Sequence, residues 1–254
     1  MKKIVLLLGS GVSSRIIYNG LKDEFKIEAV IIEKRFSVNK FIKRRIKKYG
    51  YWTVFGQLLF QVFGFRVLRY FSRSRINHIK DSFGLCDDSI VAENLYNIES
   101  VNSEECLRIL NKINPDIIVV NGTRIISNKI LRGINSTIIN MHTGITPKYR
   151  GIFCGYWALV NKDDYNFGVT VHLIDKGIDT GGILNQGHVD ISVKDNFSTY
   201  MYLQFAEGIV QLKKTINEIL ETTNTIKKGS GESKLWSHPT LWEYLYHRWV
   251  NGVK

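Results

Sequence analysis

The chain opens on an apolar run over residues 3–9, broken by Gly9-Ser10-Gly11 and followed by helical spacing over 12–24. A second apolar run at 27–33 completes a strand–helix–strand unit, which demands parallel pairing with a right-handed crossover. The same grammar resumes at 102–112, a helix capped by Asn102 or Ser103 and stopped by Pro115. Ile117-Ile118-Val119-Val120 reads as a buried strand, Asn121 to Arg124 as the loop after it, 127–132 as a short helix and 136–141 as the next strand. Residues 152–161 read as a helix. Apolar and polar positions alternate over 167–175 and 183–191, predicting two more strands, and 198–221 predicts a long amphipathic helix. These elements give an α/β fold with a doubly wound, mainly parallel twisted sheet. In such sheets ligands bind at the carboxyl ends of strands, so the loops after residues 9, 120 and 142 converge on one cleft.

Composition changes this picture little. A 44% hydrophobic content over 254 residues suffices for one large domain and excludes general disorder. Cys86, Cys106 and Cys154 are widely spaced, which predicts neither a zinc site nor a disulfide framework and fits a reducing cytoplasm. The apolar stretch Ile4 to Leu8 is too short for a signal peptide and reads better as a first buried strand.

Charge changes the picture more. Of the 35 basic residues, 13 fall between Lys34 and Lys80, where there is no Asp or Glu; the rest of the chain carries 22 basic against 23 acidic residues. The net charge of +12 therefore belongs to this one segment. It also holds 11 aromatic residues, with Lys43, Arg44, Arg45, Lys47 and Lys48 before an uncharged stretch from Tyr49 to Phe65, and Arg66, Arg69, Arg73 and Arg75 after it. Seventeen residues interrupted by Gly50, Gly56 and Gly64 make a poor membrane span. Three readings stand for this basic helical insertion, 34–90. Its aromatics pack on the sheet with the charges solvated; residues 40–75 lie on an anionic membrane surface; or, less favoured, aromatics stack on RNA bases. The aromatic segment around Trp236, Trp242, Tyr244, Tyr246 and Trp249, within a short C-terminal extension 222–254, packs on the core, caps the cleft or builds a homodimer contact.

Candidate chemistry centres on Asn140-Met141-His142 and Asp179. Alternate strand residues point the same way, so Asn140 and His142 can face one site. An imidazole with a carboxylate partner moves protons near neutral pH, and an adjacent amide donates to a developing oxyanion. These parts suit acyl transfer to an amine. Gly9-Ser10-Gly11 could cradle a phosphate but lacks the third glycine of a dinucleotide fingerprint. Arg150 either pairs with a substrate phosphate or holds its loop to backbone carbonyls.

The stretch from Asn140 to Gln186 resembles the core of the folate-dependent formyltransferases. Asn140-Met141-His142, Pro147-Lys148-Tyr149-Arg150-Gly151, Tyr156-Trp157-Ala158-Leu159, Gly168-Val169-Thr170-Val171-His172 and Ile178-Asp179-Thr180-Gly181 carry the resemblance. It is strong over 113–190, weaker over 1–33 and absent over 34–90. It implies a formyltransferase-like domain over 1–221, interrupted by the insertion, with 10-formyltetrahydrofolate as co-substrate and no metal. It assigns catalysis to Asn140, a protonated His142 and Asp179, with His172 in support. The pterin ring would lie between Gly122-Thr123-Arg124-Ile125-Ile126 and Asp175-Lys176-Gly177-Ile178. The acceptor would meet Ser10, Gly11, Thr143, Tyr149 and Arg150. The wording of residues 143–158 most resembles enzymes that formylate nucleotide-linked amino deoxysugars for surface polysaccharides, including lipopolysaccharide; glycinamide ribonucleotide and methionyl-tRNA formylation are the alternatives, with a non-catalytic membrane- or RNA-docking protein behind them. A cytoplasmic protein, at the inner face of the membrane if the insertion docks there, is the matching location.

Overall fold

In the computed structural model, residues 2–35 and 38–254 are described; Phe36 and Ser37, counted above in the basic segment, lie outside them. Strand β1 (Ile4–Gly9), helix α1 (Val12–Leu21) and strand β2 (Ile27–Glu33) form the opening unit. The basic segment follows as four helices, α2 (Val38–Tyr49), α3 (Tyr51–Leu59), α4 (Phe65–Phe71) and α5 (Arg73–Phe83), with a π-helical turn at Phe60–Gly64 between α3 and α4. Then come β3 (Leu95–Ile98), α6 (Glu104–Ile113), β4 (Ile117–Asn121), α7 (Asn128–Gly133) and β5 (Thr137–His142). The remainder comprises β6 (Tyr149–Gly151), α8 (Cys154–Val160), β7 (Gly168–Leu173), β8 (Ile183–His188), α9 (Phe197–Leu220), β9 (Lys234–Trp236) and α10 (Leu241–Val250).

The main sheet has the order β3-β2-β1-β4-β5-β7-β8. Its first five strands are parallel, and β7 and β8 join antiparallel. Alternation along the buried strands splits the core into two layers. Ile4, Leu6 and Leu8 meet α1, α5 and α9 on one face, while Val5 and Leu7 meet α6 and α7 on the other. Helix α9 begins with a capping box between Asn196 and Thr199, which satisfies two otherwise unpaired backbone donors.

Within the insertion, Ile76 and Ile79 of α5 are buried in the core against the sheet, so the peripheral part is α2 to α4. The reason is spacing, since Ile76 and Ile79 present one apolar turn to the core. The C-terminal residues pack on this insertion as well as on the core. Phe60, Phe197 and Tyr244 form one aromatic cluster, with Phe60 ring centroids 4.8 Å from Phe197 and 4.6 Å from Tyr244.

His238 sits at that junction. Its carbonyl accepts from Gln57 Nε2 at 2.7 Å, and its ring meets Phe153 edge-on at 5.3 Å. Burial, with Arg45 adding a smaller push, lowers its pKa to about 3. Folding therefore favours the neutral ring, whereas the unfolded chain binds a proton below about 6.5. The stability from this group is complete above that pH and is lost as pH falls toward 3, by at most about 1.4 kcal/mol per unit. Denaturant titrations from pH 7 to 4 should show this loss. A His238→Phe variant should show a flatter profile; an unchanged slope would remove His238 as its source.

Candidate active site

The site lies where β4 and β5 end. Gly9 and Gly122 touch behind it: a β-carbon on Gly9 would fall 2.2 Å from the Gly122 carbonyl, so this approach of two strand ends requires glycine. Strand β5 delivers Asn140 and His142, and β7 places His172 directly opposite Asn140 in the ladder. The segment after β7 folds back and brings Asp179 to the same place. Asp179 Oδ2 lies 3.4 Å from His142 Nδ1, and Oδ1 lies 3.6 Å from His172 Nε2. Asn140 Nδ2 lies 3.3 Å from His172 Nε2, and the His172 Nδ1 faces its neighbour's carbonyl at Leu173, 2.7 Å away. The structure thus brings Asn140, His142, His172 and Asp179 into one cluster.

Asp179 adopts a left-handed conformation, φ 51°, which costs least for Asn, Asp and Gly. Its carboxylate accepts the Gly151 N–H at 3.0 Å. Burial raises the Asp179 pKa, but His142, His172 and the Gly151 N–H together overcome it and bring the pKa to about 2. The carboxylate is therefore ionised at neutral pH. His142 is buried, and that burial lowers its pKa against the pull of Asp179 and the Tyr149 carbonyl. Its Nε2 lies 2.8 Å from the Tyr149 carbonyl. Both ring nitrogens face acceptors, yet a neutral ring carries one N–H. Burial opposes, and Asp179 and the Tyr149 carbonyl favour, the protonated His142 that the resemblance implies.

The other candidates are distributed as follows. Tyr149 is corrected: its side chain is 1% exposed, its hydroxyl donates to Asp163 at 2.9 Å and its ring stacks on Trp236. Only its carbonyl serves the cluster. Arg150 donates to the Ile178 carbonyl at 2.9 Å, so it holds the Asp179 segment, the second of the two roles considered for it. The Arg124 side chain is also turned away, to the Glu99 carbonyl at 2.7 Å and Glu33 at 3.2 Å, while its backbone N–H donates to Glu33. Ile126 is buried in the core, and Thr123 donates to the Arg124 carbonyl. Ile125, by contrast, is exposed. Asp175 accepts from Gly177 N–H and Thr180 Oγ1, forming a turn that leaves Lys176 exposed. Ser10 is exposed and accepts from Arg35, and Gly11 is the N-cap residue of α1. Thr143 and Gly151 line a cavity of about 250 Å³ whose far wall includes Phe153, Tyr156 and Met201.

Sequence reasoning missed the supports. Thr170 Oγ1 donates to the Gly144 carbonyl and accepts the Thr146 N–H, and Gln186 Nε2 donates to the Thr146 carbonyl, fixing the loop after His142. Thr170 precedes His172 by two residues on one strand face, a signal that was readable. The pairing of β6 with β9, Tyr149 to Lys234 through Gly151 to Trp236, had no readable signal.

Residues 77–210 match the formyl transferase family, more than half of the chain. The chain belongs to that family. Methionyl-tRNA formyltransferase of Thermodesulfovibrio yellowstonii is 33% identical over 135 residues, 53% of this chain and 44% of that protein. The chain thus spans less than half the length of that curated relative. Two solved structures share the fold. Glycinamide ribonucleotide transformylase 1 from Symbiobacterium toebii aligns with TM-score 0.57 at 16% identity, over 91% of this chain and 95% of that one. The N-formyltransferase from Helicobacter canadensis, in complex with folinic acid and dTDP-3-aminofucose, aligns with TM-score 0.55 at 19% identity, over 92% and 70%.

Proposed function

We propose that the protein transfers a formyl group from 10-formyltetrahydrofolate to the primary amine of a nucleotide-linked amino deoxysugar used in surface polysaccharide, including lipopolysaccharide. The observation that carries formyl transfer is the ionised Asp179 between His142 and His172, beside the Asn140 amide. The co-substrate supplies an activated formyl carbon. Exposed Ile125 and Ile178, on the two segments assigned to the pterin, offer apolar contact to a flat ring and fit that donor. The amine nitrogen bonds to the formyl carbon, and Asn140 donates to the oxygen that becomes negative. The proton released by the amine, passing through water, is taken up by His142. The resulting imidazolium is held by Asp179 and returns the proton to the departing folate nitrogen. We assign Asn140, His142 and Asp179 as the catalytic groups and His172 as the group that orients Asn140 and Asp179. The catalytic domain spans 1–221 with its insertion, and 222–254 is an extension whose strand β9 shapes the Tyr149–Gly151 segment. The amino-sugar acceptor rests on the residues around 143–158 and on the dTDP-amino sugar named with the Helicobacter canadensis protein. The reaction belongs in the cytoplasm.

The test is turnover of 10-formyltetrahydrofolate with three acceptor sets: nucleotide-linked amino sugars, glycinamide ribonucleotide and methionyl-tRNA. A 28 Da gain in mass, about one formyl group replacing one hydrogen, on an amino sugar alone is the expected product. Formylation of either other acceptor would reassign the substrate. Formate release without any acceptor would make the protein a hydrolase, and no turnover with any set would favour the binding-protein alternative.

A further inference from the structure

We propose that α3, the π-helical turn and α4 form one amphipathic arm that docks in the plane of an anionic lipid bilayer. The run from Tyr51 to Phe71 is helical without a break, about 30 Å long at 1.5 Å per residue. Its inner side is spent on the protein: Val54 and Phe60 are buried. Its outer side shows Trp52, Phe55, Phe63, Val67 and Tyr70, with Trp52 73% and Phe63 63% exposed. The steps between these positions, filled by half-buried Leu59, are three or four residues, so they share one helical face. Trp242 of α10 lies across this run at Gly56, where a β-carbon would fall 2.1 Å from its ring. Through Trp242 the surface extends to Tyr246 and Trp249, four and seven residues on. So many exposed aromatic side chains on one side, with Arg66 among them, are uncommon on a protein with no partner.

Charge chooses the partner. Lys43, Arg44, Lys47 and Lys48 of α2, Arg66 and Arg69 along the arm, and Arg73 at the start of α5 are exposed. None of them has an ion-pair partner among the described residues. The segment contains no acidic residue from Lys34 to Lys80, so a second copy seated on the same face would set like charges against each other. Phosphate-bearing headgroups above and acyl chains below match the basic flanks and the aromatic ridge. Among the described residues no helix is long and apolar enough to cross a membrane, so the arm lies on the surface. The inference is independent of formyl transfer, because binding is measured without turnover.

The experiment is co-sedimentation of the full chain with vesicles of phosphatidylcholine alone, or of equal parts phosphatidylcholine and phosphatidylglycerol. The expected result is pelleting with the anionic vesicles only, with part of the tryptophan fluorescence quenched by brominated acyl chains. A Trp52→Ser, Phe63→Ser, Tyr70→Ser variant should stay in the supernatant. A separate Lys43→Gln, Arg44→Gln, Lys47→Gln, Lys48→Gln variant, which leaves the aromatic ridge intact, should bind more weakly by on the order of a thousandfold. Four outcomes would overturn the proposal: no pelleting with either vesicle, equal pelleting with both, capture of single-stranded RNA without lipid binding, or a dimer in solution that the aromatic variant dissociates while lipid binding stays absent.

Discussion

Replacing Asp179 by Asn is expected to lower formyl transfer by on the order of 10³-fold while leaving folate binding largely intact. Asn tolerates the left-handed conformation that Asp179 adopts at φ 51°. Its side-chain oxygen can still accept the Gly151 N–H, now 3.0 Å from the carboxylate. The negative charge facing His142 and His172 is what disappears. Without it, only the Tyr149 carbonyl is left to favour the proton on His142, and burial disfavours the charged ring. The effect should appear in single-turnover rates and not in the affinity for a folate analogue. Near-normal turnover in the variant would sink the mechanism.

Truncating Phe60 to Ala should cost about 3–5 kcal/mol. The side chain is 1% exposed and fills the junction of three segments distant in sequence. Its ring stacks on Tyr244 and meets Phe197 edge-on. The cavity would therefore loosen the insertion, the start of α9 and α10 together, lowering the denaturant midpoint as one cooperative transition. A loss under about 1 kcal/mol would mean that these segments hold each other by other contacts.

The opening strand–helix–strand unit and the β4–β5 pair were legible because buried parallel strands read as short apolar runs. The convergence of Asn140, His142 and Asp179 was legible for a different reason: Asn140 and His142 lie two apart on a strand, and the resemblance supplied Asp179. What failed was anything set by distant pairing. Strand β3 has four residues, and its Asn97 breaks the apolar run. Strand β9 has three residues and pairs with a segment more than 80 positions away. Tyr149 was misassigned because a loop tyrosine next to an arginine looks available until Asp163 and Trp236 are seen to claim it. Helix α10 was within reach: Thr240 and Glu243 form a capping box, a signature visible in the sequence.

The parallel pairing of Tyr149–Gly151 with Lys234–Trp236 makes the geometry of the site a shared property of two remote stretches. Gly151 positions Asp179, the Tyr149 carbonyl positions His142, and both rest on the tail strand. Drift in residues 234–236 is thus drift in the geometry of His142 and Asp179, although none of those residues need touch a substrate. A chimera that grafted a relative's acceptor loop onto this chain would carry the wrong backing strand unless the tail came with it.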